Sequence, residues 1–109
     1  MLRFDMAILL DTPELSDEDW SVFVYEAVRA GYDAVRDTTR ELGSPVTAVG
    51  ITPIPGTGIT FDVEHETTHV FAALQELHAA MTRHIAGVAH VDRVDVFAAY
   101  PTTAPISRR

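Results

Sequence analysis

The chain has 109 residues, sixteen acidic and eight basic, for a formal net charge of −8, and it contains no cysteine. This length suits one domain with its own core, and the missing thiols exclude disulfides, cysteine nucleophiles and thiolate metal sites. So acidic a molecule repels phosphate backbones, and nucleic acid is not an expected partner. Every basic residue is arginine, a bias expected of a high-GC bacterium or its phage. No run of about 18 apolar residues occurs, so the chain reads as cytoplasmic with no membrane partner.

Residues 1–10 alternate, with Leu2, Phe4, Met6 and Ile8 on one face and Arg3, Asp5, Ala7 and Leu9 on the other, which predicts a strand with one buried face. Asp11-Thr12-Pro13 breaks it. Ser16 followed by Asp17, Glu18 and Asp19 has the form of an N-cap with acidic residues in the first turn. A helix is expected from about Asp17, with an apolar stripe of Trp20, Phe23, Val24, Ala27, Gly31, Val35, Thr38 and Leu42 and a stop at Gly43-Ser44-Pro45. Val22, Tyr25 and Tyr32 project away from that stripe, so part of the back of the helix is apolar too.

Val46 to Thr52 is rich in β-branched residues and bounded by Pro45 and Pro53, which predicts an edge strand. Pro55-Gly56 has the residues of a type II turn. Ile59, Phe61 and Val63 then alternate with Thr60, Asp62 and Glu64, completing a hairpin.

A second helix is entered through Glu66, Thr67 and Thr68. Val70 to His90 falls into three sevens, VFAALQE, LHAAMTR and HIAGVAH, in which Val70, Leu74, Leu77, Met81, Ile85 and Val88 form an apolar stripe at helical pitch. Ala72, Ala79 and Ala86 make one column of small residues, and Ala73, Ala80 and Gly87 the next. The columns lie beside and behind the stripe. Either they are good helix-forming surface, since Ala is the best helix former, or they let another backbone come close. Gly87 is expected to stop the helix, leaving the third seven partly helical. Arg93 to Tyr100 predicts a last strand, with Asp95, Phe97 and Ala99 on one face. Residues 101–109 form an irregular tail.

The order β-α-β-β-α-β, with right-handed crossovers, folds as an α+β ferredoxin-like split β-α-β sandwich, a four-stranded antiparallel sheet with both helices on one face. It makes one domain over residues 1–100, with the first and third strands central. The open face should display Arg3, Asp5, Ala7, Leu9, Thr60, Asp62, Glu64, Arg93, Asp95, Phe97 and Ala99.

His65-Glu66-Thr67-Thr68-His69 matches H-E-x-x-H, the spacing that sets two imidazoles and a carboxylate on one helical face for zinc hydrolysis. Here the motif spans a strand-to-helix junction, and none of Glu64, Glu76 or His78 stands at a familiar third-ligand spacing. No catalytic residue, cofactor or metal is therefore assigned, and His65 and His69 would be the ligands if one were held. His78 and His84 flank Met81 and read as hydrogen-bonded core or interface residues. No phosphate-binding glycine loop or serine elbow is present.

The expectation for function is a non-catalytic, homo-oligomeric assembly component or accessory binding module, with a second copy or another protein as partner. Its interface candidates are Ala72, Ala79, Ala86, Tyr25, Tyr32, Leu9 and Phe97. One alternative is a small dimeric α/β-barrel-type enzyme or ligand-binding domain, holding an apolar small molecule between sheet and helices with Asp5, Asp62, Arg3 or Arg93 as polar groups. Another is an HExxH-type zinc hydrolase. An assembly module should have a filled interior, whereas a ligand binder should keep a cavity of at least about 300 Å³.

Overall fold

A computed structural model describes residues 2–66 and 69–99. Thr67 and Thr68 at the entry to the second helix, Tyr100, and the tail at 101–109 lie outside the described residues. Strand β1 (Leu2–Leu10) leads to α1 (Asp17–Leu42), the hairpin β2 (Val46–Ile54) and β3 (Gly58–His65), then α2 (Val70–His84) with a 3₁₀ turn (Ile85–Gly87), and β4 (Val91–Ala99). The sheet is antiparallel throughout, in the order β2-β3-β1-β4. The expected βαββαβ architecture is what forms, with β1 and β3 central.

Local chemistry explains the elements. The Ser16 hydroxyl accepts the Asp19 N–H at 3.1 Å to open α1. Gly43 closes it in the left-handed region at φ 71°, its N–H donating to the Thr39 carbonyl. The Thr39 hydroxyl then accepts from the Val46 N–H at 3.0 Å and donates to the Val46 carbonyl at 3.2 Å, fastening the end of α1 to the start of β2. In the hairpin, the Thr57 N–H donates to the Ile54 carbonyl across Pro55-Gly56, with Gly56 at φ 80°. Strand β2 runs two residues past the expected end, through Pro53, which sits opposite Ile59. An edge strand has a free side on which the missing N–H costs nothing. Val49 has no partner opposite it where the β2–β3 register shifts between Ala48 and Gly50.

The core lies between the sheet and the helices. Phe4, Met6 and Ile8 from β1 and Ile59, Phe61 and Val63 from β3 meet Phe23, Ala27, Ala34 and Val35 of α1 and Ala73, Leu77, Ala80 and Met81 of α2. Gly31 of α1 crosses directly over Phe61, since a Cβ there would come within 2.4 Å of the ring. Thr38 is buried, but its hydroxyl donates to the Ala34 carbonyl at 2.8 Å and is satisfied.

One expectation about α2 is corrected. Ala73 and Ala80, placed beside and behind the stripe by the sequence reading, are at the centre of the buried face with Leu77 and Met81, while Val70, Leu74, Ile85 and Val88 are only partly buried at its margins. At about 100° per residue, 73, 77, 80 and 81 share one side. The large residues drew the stripe about one position off, because small residues do not announce burial.

Candidate functional site

The H-E-x-x-H motif is divided between elements. His65 ends β3 and His69 is the N-cap of α2. The alternation that buries Ile59, Phe61 and Val63 carries His65 inward as well, to 1% exposure, whereas His69 is exposed. The two imidazoles therefore do not share a helical face. Neither ring nitrogen of His65 has a hydrogen bond of good geometry, although the Ser44 main chain interacts with the ring. Burial pushes its pKa down, while the nearby Ser44 main chain and the Glu66 charge oppose the shift more weakly. Among the described residues, no group of three or more His, Asp or Glu is placed to hold a metal ion.

A second polar cluster closes the seam between the helices. Asp37 of α1 meets the His84 Nε2 at 2.6 Å, Arg40 at 3.2 Å and Arg83 at 3.9 Å, and Arg83 also lies 3.7 Å from Glu76. The hydrogen bond from His84, with the positive field of the same groups, holds the Asp37 carboxyl below the usual range against a smaller opposing effect of burial. This explains His84 as a hydrogen-bonded seam residue. His78 instead is exposed, beside Phe71, Leu74, Gln75 and Val96 on the outer flank of α2.

On the open sheet face Asp5 stands opposite Asp62 and, on its other side, opposite Phe97. Arg3 binds Asp62 at 2.8 Å. Asp5 is pushed up, first by burial and then by its hydrogen bond and like charge with Asp62, with Arg3 pulling the other way. At the far end Arg93 pairs with Asp92 at 3.1 Å and Asp95 at 3.3 Å. Asp62, Asp92 and Asp95 are thus paired with arginines on the open face, while Asp5 leans on Asp62.

What remains is apolar surface. Tyr25 is 67% exposed, Phe97 56% and Phe71 80%, with Val22 and Tyr32 about half exposed. Ala72, Ala79 and Ala86 lie exposed on the outer side of α2 and the turn after it, and Leu9 is partly buried on the open sheet. The interface candidates therefore fall on three separate surfaces and do not converge on one site. Beside Tyr25 a hollow of about 600 Å³, lined by Trp20, Ser21, Val24, Tyr25, Val28, Arg29 and Pro53, lies between the flank of α1 and the end of β2. Its lining is exposed or partly buried, so it is a feature of the outer surface and not of the interior. Sequence reasoning missed this hollow, Phe71 and the burial of His65. The β3 alternation carried a signal for His65, and Phe71 lies off the α2 stripe, but nothing in the order of residues brings Pro53 beside Trp20.

No protein-family model matches the sequence, and no curated protein matches it. Among solved structures the chain is similar to a de novo designed protein with ferredoxin fold, determined by solution NMR, with a TM-score of 0.53 and 10% identity over 99% of this chain and 92% of that one. At that identity the likeness establishes the ferredoxin-like fold alone. No helix among the described residues is long and apolar enough to cross a membrane.

Proposed function

We propose that the chain is a non-catalytic module that works by associating with copies of itself. The observation that carries this reading is the set of large apolar side chains held in solvent outside the buried core. Scattered exposed apolar residues are ordinary. Val22, Tyr25 and Tyr32, however, lie on one face of one helix, and Phe71 and Phe97 add two further surfaces. Light scattering over a wide concentration range should give a mass rising above the 12.0 kDa of one chain. A mass that stays at one chain up to the highest concentration overturns the reading.

The hollow beside Trp20 favours a second reading, the binding of an apolar small molecule, because its volume is within the usual range for ligand sites. Trp20 is the only tryptophan, so quenching or shift of its fluorescence on titration with an apolar probe tests that reading directly. An unchanged spectrum removes it.

A further inference from the structure

The outer face of α1 carries a second stripe, opposite the one that packs on the sheet. Glu18, Val22, Tyr25, Arg29, Tyr32 and Arg36 are all exposed. They follow one another at steps of 4, 3, 4, 3 and 4 residues, the 3.5-residue average of a seam between two helices. That series reads the same in both directions. Reversed and laid on itself, the stripe sets Glu18 against Arg36, Val22 against Tyr32 and Tyr25 against Arg29, which gives an acid with a base, two apolar side chains, and a ring with a guanidinium. Glu18 and Arg29 have no ionic partner among the described residues. Arg36 is bonded to Asp33, but a guanidinium has five N–H donors and keeps some free.

We infer that this stripe is the seat of a second copy of the chain, the two α1 helices lying antiparallel across a two-fold axis at the level of Ala27. The inference rests on the self-association proposed above and names its surface. Two-fold symmetry makes each match occur twice, so one stripe supplies two ion pairs, two apolar contacts and two ring–guanidinium contacts along about 27 Å of helix. The acid-to-base polarity of the stripe favours a second copy, since the same face fits its own reversal. The hollow lined by Trp20, Val24, Val28 and Pro53 borders Tyr25 and Arg29 and extends the apolar area beyond the ridge.

The test uses two charge reversals, Glu18→Arg and Arg36→Glu, followed by sedimentation velocity. Each variant alone sets like charges against each other twice, and its self-association should weaken by about tenfold or more. Mixed together, the two variants restore both opposite pairs, and association should return to within about threefold of wild type. Helix content by circular dichroism checks that each variant folds, and the recovery on mixing is itself something a misfolded chain does not give. Ala79→Gln, on the outer side of α2, should leave association unchanged. A wild type that is monomeric at every concentration overturns both this inference and the reading on which it rests. A wild type that associates while both reversals and their mixture behave like it, or that is disrupted by Ala79→Gln instead, overturns only the inference.

Discussion

The two faces of the sheet are written in the same strands, on alternate residues, and are stabilised by different physics. Toward the helices, Phe4, Met6, Ile8, Ile59, Phe61, Val63 and Val94 are buried with a single polar exception, His65. Toward solvent, Arg3 pairs with Asp62, and Arg93 with Asp92 and Asp95, with their side chains about a third to two thirds exposed. Burial is worth about 25 cal/mol per Å² of apolar surface, whereas an exposed ion pair contributes about 0 to 1 kcal/mol. The covered face therefore holds the fold together. The open face mainly keeps the protein from offering a second apolar layer to its surroundings, and Phe97 is the conspicuous departure from that pattern.

Substitutions at four positions bear on this contrast. Phe61→Ala, at the centre of the covered face, should cost about 3 to 5 kcal/mol, the usual range for emptying a buried aromatic site, measured by urea unfolding. A loss near 1 kcal/mol would mean that the covered face is loosely filled and the contrast is weak.

Gly31→Ala should cost about 1 to 3 kcal/mol by overpacking against the Phe61 ring, despite the gain of about 1 kcal/mol that Ala brings to a helix interior. Combining it with Phe61→Leu should recover part of the loss, because two residues in contact couple by about 0.5 to 3 kcal/mol. Strict additivity would show that the two do not touch.

His65→Leu should raise stability at neutral pH by about 1 kcal/mol, since the two buried nitrogens it removes have at best a poorly aligned bond with the Ser44 main chain. The pH dependence gives a sharper readout. Burial holds the folded-state pKa of His65 below its unfolded value, so the unfolded chain binds the proton more readily. The stability contributed by the neutral ring is complete above about pH 6.5 and is lost as pH falls through the folded-state pKa. Wild type should weaken over that window more steeply than the Leu variant. Parallel pH profiles would place His65 in contact with water.

The smallest effect belongs to the open face. Asp5 is pushed up by burial and by Asp62, so the folded state holds its proton to higher pH than the unfolded chain, and stability is lost as pH rises from about 3.9 through the folded-state value. Asp5→Asn should therefore be stabilising at about pH 8 by no more than roughly 0.5 kcal/mol, the ordinary scale of a surface change, and neutral at about pH 3.5. Thermal melts at the two pH values decide it, and a destabilised variant at the higher pH would show that Arg3 outweighs Asp62.

The fold was legible because each of its signals is local. Ser16 and Gly43 bracket α1, Pro55-Gly56 makes the hairpin, and period-two alternation in β1 and β3 sets which side is covered. Long-range placement was legible only in part. Ala73 and Ala80 carry no hydrophobic signature strong enough to reveal that they sit at the centre of the α2 contact. His65 reads as polar and as a motif member, yet its strand parity carries it inward. The candidate surfaces were legible as individual side chains, in Tyr25, Tyr32 and Phe97. The hollow that joins Trp20 to Pro53 depends on where β2 ends beneath α1 and could not be read from either segment alone.

The contact between Gly31 and Phe61 also acts as a rotational stop. Wherever a helix rests on a sheet through evenly sized side chains, it can roll several tens of degrees and find comparable packing. Here the single position without a side chain sits over the ring, and a roll of one residue, about 100°, would bring Ala30 or Tyr32 to a place where a Cβ would already come within 2.4 Å of the Phe61 ring. The contact thus adds to the buried side chains of Phe23, Ala27, Ala34 and Val35 in orienting the 26 residues of α1. What the protein shows to its surroundings along that helix depends in part on one absent methyl group on the opposite side, so a change at Gly31 would be felt on the outside of the molecule as well as in its core.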